Sequence, residues 1–172
     1  IGVGKGVKQD PMAGGQMLGK ALANTDLKLI MIMMESIGVN GSVVIRGIQA
    51  SAGKNMPIIG GMASDASTFT KTYQYANDQV LTDTVVGIGL SGNFPFGVGV
   101  QHGWQSIGLP AEVTKSEGSV IKEIAGKPAI NFFEDYFGKE KAKQLCKPLS
   151  SICYVNPLGM SVEGSEELLI RN

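Results

Sequence analysis

The hydrophobic periodicity of this chain changes near residue 60 from a helical repeat to a two-residue repeat, and a helical stripe returns only after Pro128. That change restricts the fold to a mixed α+β class. Before it, Asp10-Pro11 supplies a helix start, with an acceptor for free N–H groups and a proline suited to the first helical position. Ala13, Met17, Leu18, Ala21 and Leu22 then share one helical face, and Leu27 to Met33 reads as a buried strand. Asn40 caps a second helix with Val44, Gly47 and Ile48 inward and Gly53 as its stop. Pro57-Ile58-Ile59 is a short strand leading into Gly60-Gly61, where a tight turn is expected at the strand end.

Beyond that point Phe69, Lys71, Tyr73 and Tyr75 alternate with Thr68, Thr70, Thr72 and Gln74, and Asn77-Asp78 supplies a turn. Val85 to Leu90, Gly97 to Gln101 and Glu112 to Ser116 read as further strands. The last is expected to form a hairpin with Ser119 to Ile124, turning at Glu117-Gly118. Pro128 opens a third helix with Ile130, Phe133 and Phe137 on one stripe and Gly138 as its stop, and Lys139 to Cys146 adds a short helix. Pro148 and Pro157 bracket loop or edge-strand sequence. The order predicts an α+β fold, with a mixed, largely antiparallel sheet packed with two to four helices. Ile1-Gly2-Val3-Gly4 reads as the tail of a strand already under way, and Leu168 to Asn172 as another strand, so both ends are expected to belong to a longer protein.

Composition narrows the function. Fifteen basic residues balance fifteen acidic ones, which argues against nucleic acid or an anionic membrane surface as partner. The longest apolar run, Leu29 to Met34, is far short of the roughly 20 residues a membrane helix needs. No signal peptide is visible, so a cytoplasmic protein is expected, with Cys146 and Cys153 as reduced thiols. Glycine, 24 of 172 residues, is about twice its usual share of roughly 7%. Such a chain has many positions where backbone must meet backbone or ligand.

Three stretches could carry chemistry. Gly2-Val3-Gly4-Lys5-Gly6 lacks the Ser or Thr and the immediate helix of a phosphate loop, so nucleotide binding is not expected there. In Gly60-Gly61-Met62-Ala63-Ser64-Asp65 the glycines leave amides open, and Ser64 and Asp65 add a hydroxyl and an acceptor, which suits either a ligand site or an Asx turn. The third stretch, Gly99 to Gly108, holds the only histidine, His102, and the only tryptophan, Trp104. His102 fits a hydrogen-bonded structural role, or a metal or haem ligand. Trp104 fits a core plug or a pocket wall.

The ordered series Gly60 to Asp65, Val80 to Gly89, His102-Gly103-Trp104, Val113 to Gly118 and Glu123 to Ala129 resembles the FIST family, named for F-box and intracellular signal transduction proteins. Pro157-Leu158-Gly159 with Leu169-Ile170-Arg171 resembles the opening of that family's C-terminal domain. The resemblance implies that residues 1–128 are part of an N-terminal sensory domain, and that 129–172 are a connecting helix and the start of the next domain. It implies a non-enzymatic module that binds a small molecule such as an amino acid and reports to a signalling partner such as a histidine kinase. Some relatives bind haem and sense nitric oxide, which would make His102 the ligand. The chain departs from the family at Ala125, where an Asp is expected before Gly126. The ligand-binding residues expected are Gly60, Gly61, Ser64, Asp65, His102 and Trp104, lining one concave region. The competing class is an enzyme using His102 with Asp65.

Overall fold

The computed structural model describes residues 1–65, 68–118, 120–146, 155–161 and 168–171. The chain forms two compact units, Ile1–Val98 and Gly99–Asn172. Its content is α+β, and the strands among the described residues fall into four small sheets.

The first unit runs β1 (Gly2–Lys5), α1 (Pro11–Leu22), β2 (Leu27–Met34), α2 (Gly41–Ala52), β3 (Ile58–Met62), β4 (Gln74–Ala76), β5 (Gln79–Leu81) and β6 (Thr84–Ser91). Four of these strands pair in the order β1-β6-β2-β3, with β2 and β3 parallel and the other two pairings antiparallel. Both helix starts follow their caps: Asp10 accepts from the Ala13 amide and Asn40 from the Val43 amide. The core joins Leu18 and Leu22 of α1, Val44 and Ile48 of α2, and Ile30, Ile32 and Met34 of β2.

Three expectations are corrected here. On α1 the buried stripe is Gly14, Gly15, Leu18, Gly19 and Leu22, while Met17 is exposed. A Cβ on Gly15 would fall on the Val44 carbonyl oxygen, and one on Gly47 on the Met12 carbonyl oxygen. The two helices therefore meet backbone to backbone, and small residues rather than large apolar ones mark the contact. Strand β2 buries Ile30, Ile32 and Met34, but the alternating Met31 and Met33 are partly open to solvent on the other face. The turn at Gly60-Gly61 does not form, because β3 continues through both residues to Met62, opposite Met34. Gly60 has φ +142°, and a Cβ there would fall on the Ile32 carbonyl oxygen. The glycine serves strand-to-strand approach instead of a turn.

The stretch from Thr68 to Tyr75 is a further correction. Only Gln74–Ala76 is strand, paired with β5 around an Asn77-Asp78 turn. The face that is buried is the polar one: Thr72 and Gln74 are each 1% exposed, whereas Tyr73 and Tyr75 are exposed. Gly97 to Gln101, also expected as a strand, forms no ladder; the glycines at 97 and 99 offer neighbours no side chain to pack against.

The second unit contains β7 (Val113–Glu117), β8 (Val120–Ile124), β9 (Lys127–Pro128), α3 (Ala129–Phe137), α4 (Lys139–Ala142), a 3-10 turn (Lys143–Cys146), β10 (Leu158–Ser161) and β11 (Leu168–Arg171). The hairpin of β7 with β8 forms, with Glu117 opposite Val120. Glu117, expected in the turn, is thus the last paired residue of β7, and Gly118 follows it at φ +58°. The expected third helix begins after Pro128 and ends at Gly138. Strands β10 and β11 pair antiparallel. Pro148 and Cys153 lie outside the described residues.

Between β8 and β9 the turn is Ala125-Gly126, with φ +51° and +73°. Two consecutive left-handed residues define the hairpin turn for which Asp-Gly and Asn-Gly are preferred. A carboxylate expected at 125 therefore has a local conformational reason, and Ala125 occupies that conformation without the side chain suited to it.

Candidate functional site

In the first unit a buried carboxylate organises the end of the sheet. Glu35, directly after β2, is completely buried. Its Oε1 accepts from the amides of Ser36 and Ile37, each at 3.0 Å, and from the Thr72 hydroxyl. Its Oε2 takes the Lys8 ammonium at 3.2 Å and the Asp83 amide at 3.4 Å. The network continues from Thr72 through the Gln74 amide group to the Thr84 hydroxyl. This arrangement explains the inverted burial of the Thr68–Tyr75 stretch. A buried carboxylate must be hydrogen-bonded, and Thr72 supplies a donor that no tyrosine at 73 could place there. Burial pushes the Glu35 carboxyl up, but the donors of Thr72, Ile37, Lys8 and Asp83 outweigh it and hold it below its ordinary value.

Four of the expected binding residues lie nearby in sequence. Gly60 and Gly61 are in β3, and Ser64 and Asp65 follow it. The Asp65 carboxylate accepts from the Thr68 amide at 3.1 Å, the Thr68 hydroxyl at 2.7 Å and the Thr70 amide at 3.1 Å. Ser64 donates its hydroxyl to the Asp65 carbonyl. The Thr68 hydroxyl, with the backbone donors behind it, lowers the Asp65 carboxyl to about 2. Asp65 thus acts as the centre of its own loop, the Asx-turn alternative of the two read from its sequence. Phe69 within this loop has φ +52°, which is uncommon for a bulky residue.

His102 and Trp104 belong to the second unit, in a segment without helix or strand. The Trp104 amide donates to His102 Nδ1 at 3.2 Å. Trp104 is 44% exposed, which excludes the core-plug reading, and it lines a pocket of about 440 Å³. His102 is not among the lining residues.

The pocket is lined by four parts of the second unit. One wall is the loop from Trp104 to Ala111, including Ile107 and Leu109. A second is the aromatic stripe of α3, comprising Phe132, Phe133, Tyr136 and Phe137. Val113, Ile121 and Ile124 of the hairpin contribute beneath them, and Leu158, Met160 and Ile170 come from the β10–β11 pair. The loop is tied to the helix at one point: the Leu109 amide donates to the Tyr136 hydroxyl at 3.1 Å. Gly108, at φ +77°, makes this possible, because a Cβ there would overlap the Tyr136 ring. Phe133 and Phe137 belong to the helical stripe expected from the sequence, whereas Ile130 of that stripe does not line the pocket, and Phe132 and Tyr136 take part in its place. The use of α3 as a pocket wall was not legible, because nothing in the periodicity distinguishes a core face from a cavity face.

Among the described residues no three His, Cys, Asp or Glu side chains converge as a metal site. No helix among them is long and apolar enough to cross a membrane.

An α+β unit of helices on a mixed sheet, followed by a second unit with an apolar pocket, defines a class of α+β proteins rather than one protein. The family is more specific: the FIST N domain matches residues 1–127, and the chain belongs to the FIST family. It is 39% identical over 74 residues to an uncharacterized protein of Methanocaldococcus jannaschii, covering 43% of this chain and 14% of that one. It is 34% identical over 74 residues to an uncharacterized protein of Mycobacterium tuberculosis, found in two strains, covering 43% of this chain and 19% of the relative. The aligned part therefore spans less than a fifth of the length of these relatives. No solved structure matches the chain. The FIST domain is associated with signal transduction.

Proposed function

We propose that this chain is the small-molecule-sensing part of a cytoplasmic signal-transduction protein, and that its ligand occupies the pocket of the second unit. The observation that carries this reading is the pocket itself. Its volume of about 440 Å³ falls in the range of small-molecule sites, roughly 300–1,000 Å³, and apolar walls with a few polar groups are the usual make-up of such sites. The FIST assignment supports a sensory role, with output to a partner protein or domain such as a histidine kinase. A non-enzymatic role is supported by the engagement of Ser64 and Asp65 within their own loop, which occupies the groups an acid–base step would need. Haem ligation by His102 draws no support from the pocket, since His102 is not on its wall.

A thermal-shift screen on the whole chain tests the reading, because a ligand that binds the native state raises its melting temperature. Trp104, the only tryptophan, reports locally through its emission. A true ligand is expected to raise the melting temperature and shift Trp104 emission, and Trp104→Ala is expected to remove most of the stabilisation while keeping the circular dichroism of the parent. Stabilisation retained in Trp104→Ala, with unchanged emission in the parent, would place the ligand elsewhere.

A further inference from the structure

We propose that the pocket of the second unit selects an uncharged, largely apolar molecule, and discriminates against zwitterions such as free amino acids and against organic anions. This rests on the reading of that pocket as the ligand site and names its ligand class. Among the described lining residues there is no Asp, Glu, Lys, Arg or His. An amino acid brought into such a site would carry an ammonium and a carboxylate with no opposite charge among the described lining residues to meet either. Burying an ionised group without a partner is strongly unfavourable, and sites that take amino acids meet both charges with side chains or helix ends. The polar side chains among the described lining residues are neutral: Gln105, Ser106, Asn156, Ser161 and the Tyr136 hydroxyl. The Tyr136 oxygen already accepts from the Leu109 amide, so its proton is directed to a further acceptor. These groups suit a carbonyl, ether or hydroxyl on the ligand. The aromatic stripe of Phe132, Phe133 and Tyr136 offers ring faces and edges suited to a flat, polycyclic body.

The test uses the whole chain and Nile red, a neutral polycyclic dye whose emission rises in apolar surroundings, displaced by matched competitors. The competitors are 1-naphthalenemethanol, which is neutral, 1-naphthoate, its anionic counterpart, and tryptophan, a zwitterion of similar ring size. Nile red is expected to bind, and 1-naphthalenemethanol to displace it at least about tenfold more effectively than 1-naphthoate or tryptophan, as the cost of an unpaired charge requires. Trp104→Ala and Phe133→Ala are each expected to weaken dye binding several-fold; where one of them fails to fold, the other decides. Competition by 1-naphthoate or tryptophan as strong as that by the neutral alcohol would overturn the selectivity while leaving the pocket as a ligand site. No dye binding, or equal binding in the parent and in a folded variant, would overturn both.

Discussion

Ala125 shows how a single residue can carry a family's signature for a conformational reason. The resemblance placed an Asp there, and the residue sits at φ +51° in a two-residue hairpin loop with Gly126 beside it. Left-handed backbone is costly for alanine and better tolerated by Asn and Asp, whose short polar side chains bond locally. Ala125→Asn is therefore expected to raise stability by about 1 kcal/mol, read as an increased urea midpoint with an unchanged slope. A midpoint equal to or below that of the parent would show that the turn is held by its other contacts. Those are the Ala125 amide bonded to the Glu112 carbonyl and the Gly126 amide bonded to Thr114 Oγ1.

At the scale of elements, the close crossing of α1 with α2 accounts for part of the glycine content. Gly15 and Gly19 face α2, and a Cβ at either position would meet backbone first, the Val44 carbonyl oxygen at Gly15 and the Ile48 carbonyl oxygen at Gly19. Gly15→Ala is expected to destabilise the first unit by about 2 kcal/mol through overpacking, although alanine is the better helix former. Equilibrium unfolding followed by far-ultraviolet circular dichroism measures it, and a stabilised variant would mean that the helices separate without cost. The caps, the hairpin of β7 with β8 and the third helix were all legible in the sequence, because each depends on residues within a few positions of one another. The strand expected from Thr68 to Tyr75 and the turn at Gly60-Gly61 were misread. In each, a distant partner overrides the local signal: Glu35 draws Thr72 inward, and Ile32 lies against Gly60.

At the scale of the whole molecule, two carboxylates among the described residues, Glu35 and Asp65, have lowered values, both in the first unit, and they are expected to contribute to its acid response. A carboxyl lower in the folded than in the unfolded chain adds stability above its unfolded value, near 4, and loses it as pH falls through the folded value. For Asp65 that loss runs from about 4 down to about 2. Glu35 contributes in the same direction, since its folded value is also lowered. The melting temperature is therefore expected to fall between pH 5 and pH 2, and the double variant Glu35→Gln with Asp65→Asn to start lower at pH 7 and show a shallower decline. Parallel profiles for variant and parent would assign the acid response to other groups.

The sequence by itself determined the class of fold, the main helices, the sheet strands β2 and β6, the hairpin of β7 with β8 and the family, because caps, periodicity and ordered motifs are properties of neighbouring residues. Only the tertiary structure decided which face of each element is buried and where a ligand could sit. Trp104 was singled out by its rarity among glycines, but its pocket exists because Gly108 lets the loop reach Tyr136, and because α3, the hairpin and the β10–β11 pair close around the same space. Burial is a sum over partners far apart in the chain, and a hydrophobic pattern records that a side chain prefers to leave water without recording what it will meet.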